Sequence, residues 1–348
     1  MRPAAHSRRR MSAVLIGAAL AAGVTAQPPA ADFVDPRIDF TARFVFWSHP
    51  RLNLHHFLHQ WAIADLTDDG LRPVEVPERE ALGGLSAEER GQWLAAVAFY
   101  REHLAERSLV FDYGMIELRD QLTGLGGVGP LGGLRGELAE AERVMLGVEV
   151  IYGRVWWAAH DAANRAWTAA VLPALRSSEQ DLVARLAVAL GGRWPDGAVR
   201  VDVSAYAGRV GAYTTGAPHV TISSRDPGYA MPRALEMLFH ETSHTASLAG
   251  SLRLAIEETF RERGLRAPAG LEHVVIFETA GELARRVWAA RGDRAYVPYA
   301  EHEGLYERNE VWAAYRRALA HPWREFLRGD FDRREALLAV ADALREGR

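Results

Sequence analysis

The 348-residue sequence contains no cysteine and no lysine. Without cysteine it has no disulfide, no thiol nucleophile and no thiolate metal ligand. Without lysine all 41 basic residues are arginine, so a P-loop lysine, a Schiff-base lysine and a Ser–Lys dyad are excluded. There is no marked excess of charge of either sign. A formal net charge of -4 argues against nucleic acid or an anionic membrane as the main partner. Hydrophobic residues at 49% and charged residues at 25% sit at globular averages, which excludes disordered, collagen-like and coiled-coil classes. The length suits one large domain or two medium ones.

The first segment reads as an address. Arg2, His6, Arg8, Arg9 and Arg10 form a basic region, and the apolar run Met11 to Gly23 that follows is too short to span a bilayer comfortably. Val24-Thr25-Ala26 supplies small residues where a signal peptidase reads. We therefore expect a signal peptide over 1–26, cleaved after Ala26, and an exported chain, periplasmic or secreted. The mature part carries no span-length apolar run, and lacking cysteine it needs no oxidative folding.

The body predicts a predominantly α, α+β chain, with a helical region over 27–195 and a sheet-plus-helix region over 196–348 joined in one unit. Ser86-Ala87-Glu88-Glu89 is an N-terminal capping pattern for a helix through Trp93 and Tyr100. A helical pattern runs near 137–175 and carries Trp156, Trp157, His160, Asp161, Asn164 and Trp167. These residues are either the lining of a substrate cleft or buried polar groups bonded among tryptophans. Gly124 to Gly129 matches G-x-G-x-x-G, but no strand precedes it, so a loop is expected rather than a nucleotide site. Val199 to Val203 alternates with period two. Ala212–Thr215 and His219–Ser224 read as a hairpin, and Pro232 opens a helix that runs to about Ala249. Further helices are expected near 271–291, 307–320 and 334–345.

One motif carries most of the chemistry. His240-Glu241-Thr242-Ser243-His244 is H-E-x-x-H on that helix. A spacing of four puts both imidazoles on one face, one turn apart, able to grip a single Zn²⁺, with Glu241 beside them to take a proton from water. The segment resembles the zincin metallopeptidases over roughly residues 199–290. That resemblance implies an active-site helix beside the edge strand of a small antiparallel or mixed sheet, with His219–Ser224 as the edge. It implies an exported, zinc-dependent metallohydrolase, most simply a peptidase acting on peptide or protein substrates. Two alternatives fit the same residues: a non-catalytic binding or structural protein that keeps the arrangement, and a zinc hydrolase of a non-peptide amide or ester.

The third ligand is open. The metzincin continuation is missing, since no histidine stands at its place after His244. The pattern is closer to the gluzincins, whose third ligand is a Glu on a later helix, and Glu282 is the first choice, with Glu278 and His273 as alternatives. Gly281 beside Glu282 suggests a close approach of another element. The helical wheel opposes this choice: His273 shares a stripe with Val274, Ile276, Phe277 and Ala280, while both acids lie off it near Arg285 and Arg286. Glu257 and Glu258 read as surface. Tyr299, in a loop with Tyr296 and followed by Tyr306, is the expected oxyanion donor. His55 and His59, four apart, are either a second metal pair or buried histidines of an amphipathic helix.

Overall fold

A computed structural model describes residues 35–64, 73–124, 134–215 and 218–347. The expected signal peptide, its cleavage site and all but Gly124 of the glycine-rich motif lie outside those residues. Among them are five strands and thirteen α-helices, a predominantly helical α+β fold. None of these helices is long and apolar enough to cross a membrane.

The sheet is mixed, in the order β1-β2-β3-β5-β4. Strand β1 (Arg37–Phe40) pairs antiparallel with β2 (Phe44–Trp47), and β2 runs parallel to β3 (Val199–Ser204) with Phe46 opposite Val201. Strand β5 (His219–Ser223) is parallel to β3, and β4 (Ala212–Thr215) pairs antiparallel with β5. The two hairpin strands thus pair as their sequence implies. The edge does not fall where expected: β5 lies inside the sheet and β4 is the edge strand. Strands β1 and β2 were not anticipated in a region read as helical, although Phe44-Val45-Phe46-Trp47 is a β-prone run. They tie the N-terminal half into the same sheet, and all described residues belong to one unit.

Helices α1 (Pro50–Ile63), α2 (Val76–Glu80), α3 (Ala87–His103), α4 (Tyr113–Leu122), α5 (Glu137–Tyr152) and α6 (Ala158–Leu190) fill the crossover from β2 to β3. A π-helical turn, Gly153–Trp157, joins α5 to α6. Ser86 and Glu89 form the capping box of α3, and Gly191 closes α6 in the left-handed region at φ 69. After the sheet come α7 (Arg233–Ser243), α8 (Ala246–Glu262), α9 (Leu271–Ala290), α10 (Tyr299–His302), α11 (Glu310–Leu319), α12 (Pro322–Arg328) and α13 (Arg333–Glu346).

The two faces of the sheet differ in chemistry. Phe44, Phe46, Val199, Val201, Val203, Val220 and Ile222 turn to one side and form a core with α6, α7, α8 and α9. The other side presents Asp202, Ser204, His219, Thr221 and Ser223, all buried. Buried polar groups must be paired. Here His56 of α1 meets Ser204 Oγ at 3.0 Å and Tyr213 Oη at 2.9 Å, and Asp202 accepts a short hydrogen bond from His219 while holding Arg200 at 2.8 Å. A second apolar cluster of α1, α3, α4 and α5 lies on that side.

Candidate metal centre

Helix α7 is set by its apolar stripe, with Leu235, Leu238 and Phe239 in the core. It ends sooner than the expected run to Ala249. The hydroxyls of Thr242 and Ser243 bond back to the carbonyls of Leu238 and Phe239, both at 2.7 Å, and Thr245 is extended. Such side-chain bonds compete with continuation of the helix. His244 therefore sits at the helix C-terminus, one turn after His240.

The Nε2 atoms of His240 and His244 face each other at 3.2 Å. A tetrahedral Zn²⁺ with Zn–N bonds of about 2.05 Å separates its ligand nitrogens by about 3.3 Å. The third group is His273 of α9, whose ring centroid lies 5.3 Å from that of His240 and 4.7 Å from that of His244. One nitrogen from each of the three lies within 4.8 Å of the others, the one such metal-capable group among the described residues. Burial, reinforced by mutual repulsion, drives His240 well below its ordinary pKa, and burial with His273 beside it takes His244 to about 3. Burial alone takes His273 to about 4. All three are thus neutral imidazoles at physiological pH, the ligating form. His240 Nδ1 is buried without a hydrogen-bond partner, so the ring's orientation rests on packing. Phe277 supplies it, stacked at 3.9 Å on His240 and at 4.9 Å and 8° on His273, with Trp312 at 5.2 Å behind His273. The donor set, three convergent neutral nitrogens, fits zinc.

The structure does not bring Glu282 or Glu278 into this group. Glu282 pairs with Arg285 at 2.9 Å and Arg286 at 3.4 Å. Glu278 accepts from Tyr306 Oη at 2.8 Å, and Arg316 lies 3.5 Å away. The reason is helical geometry: at about 100° per residue, Glu282 lies half a turn round α9 from His273. Gly281 does mark a close approach, but of Pro298, whose Cβ would lie 2.8 Å from a Cβ at position 281. Glu257 and Glu258 are exposed on α8.

Glu241 is 5% exposed. Burial pushes its carboxyl up to about 8, against the hydrogen bond from Thr214. Thr214 Oγ1 lies on the edge strand β4, 2.7 Å from the backbone oxygen of Glu241 and 3.0 Å from its Oε2. Tyr299 Oη donates to Tyr229 Oη at 3.0 Å, and Tyr229 Oη in turn donates to the Val210 carbonyl at 2.5 Å. Tyr299 is raised to about 12, first by burial, with Asp226, Glu303 and Glu241 adding to it. Its backbone N–H bonds Glu236, a buried carboxyl of α7 that also takes the Tyr296 hydroxyl. Tyr296 is therefore a clamp for the loop, and Tyr306 is a partner of Glu278. Thr214, Tyr229, Trp312 and Glu236 carried no mark in the sequence, because each acts through a partner distant along the chain; Phe277 was visible only as a member of the His273 stripe.

The remaining candidates are structural. His55 bonds Tyr100 Oη at 3.0 Å, and His55, His56 and His59 are all buried in α1, which is enclosed on every side rather than amphipathic. His160 joins Glu78 at 2.6 Å and Tyr152 Oη at 2.8 Å. Asp161 pairs with Arg165 at 2.7 Å. Asn164 is a hub, donating to Ser48 Oγ at 2.9 Å and Asn53 Oδ1 at 3.1 Å and accepting from Ser224 Oγ at 2.6 Å. Trp156 and Trp167 donate to the Glu78 and Tyr229 carbonyls.

The chain matches no family model, no curated protein and no solved structure.

Proposed function

We propose that the chain is a zinc-dependent hydrolase of peptide bonds, exported by its N-terminal segment, with His240, His244 and His273 as the metal ligands. The observation that carries this reading is the convergence of three neutral imidazoles from two packed helices, His240 buried and His244 and His273 half-buried, with Glu241 next to His240 in the chain. When bound, zinc supplies Lewis-acid polarisation of a carbonyl and acidifies water. Because the three imidazoles are neutral, they leave the full charge of the cation in place. The chain's own part is positional. Thr214 Oγ1 shares its one proton between the backbone oxygen and Oε2 of Glu241 and so fixes the side chain; with its pKa at about 8, the ionised fraction of the Glu241 carboxyl takes a proton from the attacking water and returns it to the leaving amine. Tyr229 stays fixed by its bond to the Val210 carbonyl, and the Tyr299 hydroxyl, whose backbone is held by Glu236, is the one that would turn from Tyr229 to donate to a developing oxyanion.

Elemental analysis of the purified chain tests the metal, with near one zinc per chain expected. Digestion of a peptide library with and without chelator tests the activity. Glu241→Gln should keep zinc and lose about 10²–10⁴-fold in turnover. Zinc bound with no chelator-sensitive hydrolysis would leave a binding protein in place of an enzyme, and comparable hydrolysis by Glu241→Gln would remove Glu241 from the reaction.

A further inference from the structure

Among the described residues a cavity of about 660 Å³ opens at the carboxyl ends of the parallel strands β3 and β5. That end of an open parallel sheet is where ligands bind in α/β folds, and the volume lies in the range of small-molecule sites. Its walls are Pro73, Val74, Val76 and Pro77 on one side and Ala205 and Tyr206 on the other. Arg79, Glu75, Ser223, Arg225 and Asp226 complete the lining.

The cavity has a rigid floor. Glu78, buried just behind it, accepts from Tyr206 Oη at 2.5 Å, from His160 at 2.6 Å and, by a short bond, from Arg225. Tyr206 Oη accepts from the Glu75 backbone N–H at 3.2 Å, and His160 is fixed by Tyr152 from the helix that enters the π-helical turn. Such turns are concentrated at functional sites. The charged groups of the lining are held by partners within the fold. Arg225 bridges Glu75 at 3.1 Å and Glu78, Arg79 donates to the Val74 carbonyl and lies over the Trp61 ring, and Asp226 caps Gly228 N–H at 2.8 Å. Most of the wall offered to a ligand is valine, proline, alanine and a tyrosine ring, so an apolar group finds more contact there than a charged one.

The cavity rim is joined to the candidate metal centre through one short turn. Asp226 of its lining and Tyr229 are joined by the short turn Pro227–Tyr229. A Cβ at Gly228 would lie 3.0 Å from Asp226 Oδ1 and 3.2 Å from the Tyr299 ring, and that ring is stacked at 6.2 Å on Phe277, which lies 3.9 Å from the His240 ring, so the tyrosine pair links the cavity rim to the histidine cluster.

We propose that this cavity is a second binding site, which takes a neutral apolar group of aromatic size from the same substrate that is cleaved at the histidine cluster. The assignment to substrate rests on the hydrolase reading; the existence of the binding site does not.

The test has two arms. Fluorescence titration of the full chain with N-phenyl-1-naphthylamine, a neutral apolar probe, should show saturable binding that is the same with zinc or with chelator. Ala205→Phe places a ring inside the cavity, and Val76→Asp places a charge on its lining from an exposed position that folding tolerates. Each should weaken the probe at least tenfold, about 1.4 kcal/mol. No saturable binding, or unchanged binding in a folded Val76→Asp, overturns the site. In the second arm, kcat/KM is compared for peptides that differ only in Phe or Ala at successive positions. Val76→Asp should lower the Phe preference at one position about tenfold with zinc content unchanged. Probe binding lost with the Phe preference intact overturns the assignment to substrate. If the zinc-loaded chain cleaves nothing, the hydrolase reading has failed, and the probe titration still decides whether the cavity binds.

Discussion

The sharpest consequence of the structure concerns the third ligand, where His273 stands in place of Glu282. Removing His273 takes one of three nitrogens from a cluster whose groups lie within 4.8 Å of each other. Structural four-ligand zinc sites bind with about 10–16 kcal/mol, or about 2.5–4 kcal/mol per ligand. His273→Ala should therefore weaken zinc about 10²–10³-fold. Glu282→Ala breaks only two partly exposed ion pairs, with Arg285 and Arg286, and should cost less than about 1 kcal/mol of stability with zinc affinity unchanged. The assay is competition with a chromophoric chelator, read alongside the metal-induced rise in Tm. That rise reflects about 2.7 kcal/mol at a hundredfold excess over Kd in the wild type, and His273→Ala should erase most of it at the same metal concentration. Loss of zinc from Glu282→Ala with retention by His273→Ala would refute the ligand set and the helix-face argument behind it.

Other outcomes follow from neighbouring groups. Thr214→Val removes the hydroxyl that bridges the backbone oxygen and Oε2 of Glu241 and should lower turnover about tenfold while leaving zinc content unchanged, as metal analysis beside a kcat measurement would show. Asn164→Leu strips partners from Ser48, Asn53 and Ser224 at once and should cost about 3 kcal/mol in denaturant unfolding, with little change if water replaces the amide. Burial with His59 nearby depresses His56 from 6.5 to about 3, so it folds neutral while the unfolded chain binds a proton below pH 6.5. Its contribution is present above pH 6.5 and falls by about 1.4 kcal/mol per unit as pH drops toward 3. In chelator, the stability gap between wild type and His56→Gln should therefore narrow by about 2–3 kcal/mol between pH 6.5 and 4.5, and a constant gap would show that His56 is not held neutral.

The sequence by itself determined what is local. The spacing of His240 and His244, the alternation of Val199 to Val203, and the Ser86 and Glu89 cap each depend on residues within a turn or two. There backbone geometry leaves few choices. The helical wheel of Leu271–Ala290 even held the ligand in view, since it set His273 on the buried stripe with Phe277 and both acids off it. What it did not contain was the partner of that stripe. Only the crossing of α7 and α9 puts His273 against His240, and only the parallel pairing of β5 with β3 makes β4 the edge from which Thr214 reaches Glu241. The same holds for His160, Asn164 and the floor beneath the cavity, whose partners Glu78, Ser48 and Ser224 are remote in sequence. Periodicity says that a side chain is buried. What it is buried against is decided by long-range packing of the layers, because apolar burial is non-directional and a hydrogen-bond partner is chosen only once the backbones have met.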